Sequence, residues 1–168
     1  MNTIANEYPL LQVLEIKKRR VTEAEKVVRE KRELRDKEVE KLREAEAARD
    51  KVLNHRNEKL AQLRAEMDQD TNTVKIRQMK DYLDVVVERL EKEEKKVEEQ
   101  QKQVDKAQQA LDEAKEELRL KRLEVDKLNM HKDEWMAKRR EELKIEEGKV
   151  MDEVGQITYQ LQRQLRGK

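Results

Sequence analysis

The sequence predicts an all-α chain, a long antiparallel two-helix coiled-coil hairpin whose second helix is longer than the first. Three observations predict it. Apolar residues recur every seven positions through the second half, helix formers fill most of the positions between them, and a short polar cluster near Asp70 separates two stretches that hold nothing to break a helix. Charged residues make up 47% of the 168 positions, aromatics 2%, and phenylalanine is absent. Ordinary globular chains carry roughly 25% charged residues, and a compact core needs apolar bulk to offset the conformational entropy lost on folding. Here the hydrophobic 35% is spread thinly along the chain, which excludes a globular core. Disordered chains share such a composition. However, 40 basic residues face 39 acidic ones, so self-repulsion is slight, and Glu, Lys, Arg, Leu and Ala favour helix.

The expected organisation is one coiled-coil hairpin over 1–168, with helix 1 at about 10–67, a turn at about 68–73 and helix 2 at about 74–166. Pro9, the single proline, suits the first turn of a helix. The cluster Asp68-Gln69-Asp70-Thr71-Asn72-Thr73 has short polar side chains that compete for backbone hydrogen bonds and favour turns. Thr71, Asn72 or Thr73 could cap the helix that follows. Of the three glycines, Gly148, Gly155 and Gly167, the last two mark terminal turns expected to fray.

Helix 2 carries the clearest signal. Ile76, Leu83, Leu90, Val97, Val104, Leu111, Leu118 and Val125 fall seven apart. Met79, Val86, Glu93, Gln100, Ala107, Ala114, Lys121 and Leu128 follow three residues behind them. These are the two seam positions of a heptad, which face a partner helix. After Leu128 the phase slips by four, and Met136, Leu143, Val150 and Ile157 begin a new series. Such a stutter locally unwinds a supercoil. Helix 1 is less regular: Leu14, Val21 and Val28 form one short series and Leu53, Leu60 and Met67 another, with Val39, Leu42 and Ala45 between. Arg49 and Arg56 fall at seam positions, where their aliphatic stems can cover apolar surface.

A turn centred on Asp70 makes paired residue numbers sum to about 141, which sets Arg49 opposite Glu93 and Tyr8 near Lys132 to Trp135. At ~1.5 Å per residue, helix 1 spans ~87 Å and helix 2 ~140 Å. Helix 2 is therefore expected to overhang, with Leu143, Val150, Val154, Ile157 and Leu161 as an unpaired apolar stripe seeking a partner. Exposed pairs at i,i+4, among them Glu33 with Lys37 and Glu98 with Lys102, each add ~0.2–0.5 kcal/mol to helix stability.

Function classes fall away in turn. Without cysteine there is neither a disulfide nor a thiolate metal site. The longest aliphatic run, Val85-Val86-Val87, is far short of the ~20 residues of a membrane span. Met1 to Tyr8 does not read as a signal peptide, so the expected location is cytoplasmic. Interleaved charges summing to +1 give no field to attract nucleic acid. A two-helix coil offers no water-excluded pocket, there is no phosphate loop, and His55 and His131 lie too far apart to share a metal. The expectation is no enzyme, no cofactor and no metal. Two basic clusters, Lys17-Lys18-Arg19-Arg20 and Lys138-Arg139-Arg140, lie toward the open end, where they could meet an acidic surface or simply be solvated. Trp135 and Met136, with Tyr8, place bulky side chains at the same end, closing the coil or serving as an interface hot spot. These nine residues of the two clusters and the Trp-Met pair are the candidate protein-binding residues.

One resemblance narrows the choice. Tyr8-Pro9-Leu10, Val13-Leu14, Ile16-Lys17-Lys18, Arg20 and Ala24-Glu25-Lys26-Val27-Val28 resemble the amino end of the YscO-like type III secretion proteins, the chlamydial type above all. The segment His131-Lys132 with Glu134-Trp135-Met136 and the Gly155-Gln156 region are similar as well. That family is related to the flagellar FliJ protein and resembles the stalk of rotary ATPases. The resemblance implies a cytoplasmic stalk that inserts the end carrying both termini into the hexameric secretion ATPase and contacts the export-gate protein. It also implies a role in recycling export chaperones and no ATPase activity of its own. The rival readings are a structural scaffold or spacer, with its helices in a parallel dimer, and a nucleic-acid-binding arm. The polar cluster at Asp70 argues against the dimer, and the alternating charges argue against the arm.

Overall fold

The computed structural model describes residues 7–69 and 72–166. Two helices account for nearly all of them: α1, Leu11–Met67, of 57 residues, and α2, Thr73–Arg166, of 94. No strand occurs among the described residues, and the helices pair as an antiparallel hairpin with α2 the longer. Asp70 and Thr71, the expected turn centre and one candidate cap, lie outside the described residues, as do Met1–Asn6 and Gly167.

The ends of the helices follow from local chemistry. The chain enters α1 through a turn at Pro9 and Leu10, where the Leu11 amide donates to the Tyr8 carbonyl at 3.0 Å. At the other end, Asp68 N–H reaches the Arg64 carbonyl (3.1 Å) and Gln69 N–H the Glu66 carbonyl (3.3 Å), so the last carbonyls of α1 find donors. Asn72 caps α2: its Oδ1 accepts from the Val74 amide at 2.9 Å, while its own carbonyl takes the first helical bonds from Lys75 and Ile76. Gly148 and Gly155 sit inside α2, which runs on to Arg166.

Chain contacts divide the molecule into two units, Ala24–Leu118 and a second made of Met1–Glu23 with Arg119–Lys168. In the first, α1 and α2 bury Ala24, Leu63, Val86, Leu90, Leu111, Ala114 and Leu118. Both heptad series of α2 face inward: every member from Ile76 to Leu128 is buried or half-buried, Glu93, Gln100 and Lys121 included.

The α1 side of the seam differs from its expected pattern. Val39 and Met67 are exposed. The inward positions run Val28, Lys31, Arg35, Glu38, Leu42, Ala45, Arg49, Val52, Arg56, Lys59 and Leu63, a heptad alternation of threes and fours without a break. It is hidden in the sequence because more than half of these residues are charged. Polar groups across the seam receive two of them, Arg35 and Glu38. Gln100 Nε2 donates to both the Glu38 carbonyl (3.0 Å) and its Oε2 (2.6 Å), and Arg35 donates to Gln108 Oε1 at 3.1 Å. The expected Arg49–Glu93 pair is not made. Arg49 turns to its neighbour Asp50 (2.7 Å) and Glu93 to Lys96 (2.8 Å), because each has an opposite charge within reach on its own helix. Glu98–Lys102, at 2.8 Å, is one of the expected i,i+4 pairs.

Candidate protein-binding site

All nine candidate residues fall in the unit formed by Met1–Glu23 and Arg119–Lys168. Its centre is small and aromatic. Leu14 is 1% exposed and Tyr8 4%. The Tyr8 hydroxyl and His131 Nδ1 share a hydrogen bond of 2.6 Å, and the Tyr8 ring meets the edge of Trp135 with centroids 5.8 Å apart. Sequence positions set this up. His131 and Trp135 are one turn apart on α2, so they share a face, and Tyr8 enters that face from just before α1. Trp135 and Met136 are half-buried and help close this end of the coil.

The basic residues separate into two kinds. Lys17 donates to Glu124 Oε2 at 2.6 Å and is a seam residue linking the helices. That hydrogen bond and the Lys17 charge, with Arg20 and Lys127 nearby, hold the Glu124 carboxyl below the usual carboxylate range. Arg139 pairs with Glu142 at 3.1 Å, while its Nε is buried without a partner. Lys18, Arg19, Arg20, Lys138 and Arg140 are exposed. The clusters do not form one patch: Glu124, beside Lys17, precedes Lys138 by fourteen positions on α2, roughly 21 Å.

Leu143, expected in the unpaired stripe, is half-buried, and beyond it the character of the surface changes. Every side chain from Lys144 to Arg166 is exposed. Val150, Val154, Ile157 and Leu161, spaced four, three and four apart, are each more than half exposed. Such spacing makes one helical face that buries nothing in the chain itself. Val154 to Gln162 contains no charged residue, unlike the rest of a chain rich in charge. Among the described residues no cluster of metal-binding side chains occurs, and no helix is long and apolar enough to cross a membrane.

The bond between His131 and Tyr8 was not foreseen from the sequence. The register that set Tyr8 near Lys132 to Trp135 was the available signal. Glu124 was missed as the partner of Lys17, since any of several carboxylates on α2 would have served equally well.

With this geometry in hand, comparison with known proteins is decisive. The sequence profile of the YscO-like protein family matches residues 5–165. The chain belongs to the YscO-like family. A solved structure from Chlamydia trachomatis, described as that of a YscO homologue, is 47% identical and superposes with a TM-score of 0.88, over 94% of this chain and 98% of that one. Nothing among curated proteins matches. This YscO-like chain is thus a type III secretion-related protein of a non-enzymatic family, and the resemblance carried by Tyr8-Pro9-Leu10 and the His131-to-Met136 segment extends over nearly its full length.

Proposed function

We propose that this chain is the cytoplasmic stalk of a type III secretion apparatus, monomeric and peripherally attached to the machinery. It binds the hexameric secretion ATPase and the export-gate protein and couples one to the other without catalysing a reaction itself. Recycling of export chaperones is a further part of the same role. The observation that carries this reading is the end where α1 begins and α2 continues alone, with an apolar face left open from Val150 to Leu161. A surface of this kind is completed by another protein. A coil of two helices is ~20 Å across, narrow enough to enter a ring.

Within the candidate site, Lys18, Arg19, Arg20, Lys138 and Arg140 are the cations available to a partner, while Lys17 and Arg139 are already engaged. Trp135 and Met136 support the surface from beneath. The test is ATPase stimulation with the secretion ATPase of the same organism. Reversing Lys18, Arg19, Lys138 and Arg140 to Glu, with Lys17 retained, is expected to abolish stimulation with the far-UV circular dichroism unchanged. Full stimulation by that variant would remove the basic residues from the mechanism, and no stimulation by the unaltered protein would remove the ATPase.

A further inference from the structure

The unit Ala24–Leu118 carries a second surface that the stalk reading does not use. Along one side of the helix pair, three shallow depressions of about 440, 280 and 390 Å3 adjoin. Lys51 and Arg89 line the first and second, and Tyr82 lines the second and third, so the three form one groove. From Glu44 to Glu66 it runs roughly 33 Å along α1.

Its middle has a distinct chemistry. Tyr82 is 48% exposed and Val85 61%, an aromatic and an aliphatic side chain side by side in solvent. The Tyr82 ring is held in place: its hydroxyl is 3.0 Å from His55 Nε2, the two rings meet edge to face, and Lys59 Nζ lies 6.0 Å from its centroid. Lys51 and Arg89 flank this pair of side chains and enter no ion pair among the described residues, and Asp50, next to Lys51, is taken by Arg49. No acidic side chain lines the middle depression. Acidic residues line only the groove ends, Glu44 and Glu93 at one and Glu66 at the other; Glu66 is bonded to Lys75 and Glu93 to Lys96.

We propose that this groove docks a protein partner that presents an acidic amphipathic helix, its apolar edge covering Tyr82 and Val85 and its carboxylates pairing with Lys51, Lys59 and Arg89. A third helix laid against a two-helix coil follows the groove between them, and about 22 residues of helix fill this length, with carboxylates over its basic middle and none over the ends where Glu44, Glu93 and Glu66 stand. Charge complementarity selects the sign of the partner, and an ordered aromatic ring loses little entropy on being covered. The acidic groove ends disfavour a nucleic-acid backbone, which needs an uninterrupted basic track.

The probe is a synthetic helix of about 22 residues with Leu at the two seam positions of each heptad, Glu flanking its middle turns and Gln toward both ends, titrated onto the full-length protein; its mirror carries Lys in place of Glu. The acidic helix is expected to bind with micromolar affinity that falls as salt rises, and the basic mirror is expected not to bind. Tyr82→Ala and the pair Lys51→Glu with Arg89→Glu should each weaken binding at least tenfold. These positions are exposed or half-exposed on helices, so helicity by circular dichroism should hold, and ATPase stimulation should be unaffected, which separates this surface from the stalk end. Equal binding of both helices, or unchanged affinity in these variants, overturns the proposal. So does tighter binding of a single-stranded oligonucleotide, or loss of binding on Val154→Asp with Ile157→Asp but not on the groove substitutions.

Discussion

Tyr8 shows how one side chain can hold an end of a coil that has little else to bury. It is almost fully covered, touches Trp135 through its ring and His131 through its hydroxyl. A hydrogen bond of this kind contributes about 1 kcal/mol net, and truncating a buried aromatic costs about 3–5 kcal/mol. Tyr8→Phe should therefore lower thermal stability slightly and Tyr8→Ala severely, read as the unfolding midpoint of the same dichroism band. Glu124 gives a pH-dependent counterpart. Its carboxyl titrates below the usual range because Lys17 donates to it and adds its charge, with Arg20 and Lys127 contributing. A depressed folded value means that the stabilisation is complete above the ordinary carboxylate range and disappears as pH falls through the folded one. Glu124→Gln should be less stable than the unaltered protein at neutral pH, and the two midpoints should converge as pH falls below the ordinary carboxylate range. A constant gap across that range would show that Glu124 acts through packing instead of charge.

At the scale of the helix, α1 and α2 reach the same seam by different means. The inward face of α2 is written largely in Ile, Leu, Val and Ala, so a seven-residue rhythm exposes it directly. On α1 the same rhythm is carried by Lys31, Arg35, Glu38, Arg49, Arg56 and Lys59 as much as by Leu42 or Leu63. Hydropathy cannot mark such positions; Arg35 and Glu38 are received by Gln108 and Gln100 across the seam, while Arg49, Arg56 and Lys59 bond to neighbours on α1 itself. Polar seam contacts of this type fix register at a cost in stability. The open stretch of α2 offers a simpler test of helix energetics. A Cβ added at Gly148 or Gly155 meets nothing within 4 Å, so Gly148→Ala with Gly155→Ala should gain helix stability by roughly 0.5–1 kcal/mol per site, seen as a larger helical signal at raised temperature. A fall in that signal would mean the glycines serve a bend that the helix needs.

For the whole molecule, the antiparallel hairpin distinguishes a chain paired with itself from the parallel dimer that the same heptads could build. Lys17 and Glu124 lie 2.6 Å apart within one chain, close enough for a zero-length carbodiimide link. Coupling should yield a cross-linked monomer containing that pair, identified by mass spectrometry, at a rate independent of protein concentration; a concentration-dependent dimer would replace the hairpin. The two-helix class, the greater length of α2, its seam as far as Leu128 and the open apolar face beyond Leu143 were all legible in the sequence, because periodic apolar spacing and a cluster of turn-forming side chains act locally along the chain. Tertiary structure alone decided which charges are spent inside. It drew Lys17 and Arg139 out of the exposed basic set, joined Tyr8 to His131, sent Arg49 to Asp50 and not to Glu93, and set Tyr82 in the open beside Lys51 and Arg89. The physical reason is that a charged side chain on a helix has several partners within reach, on its own helix and across the seam, and which one it takes depends on what folding sets beside it.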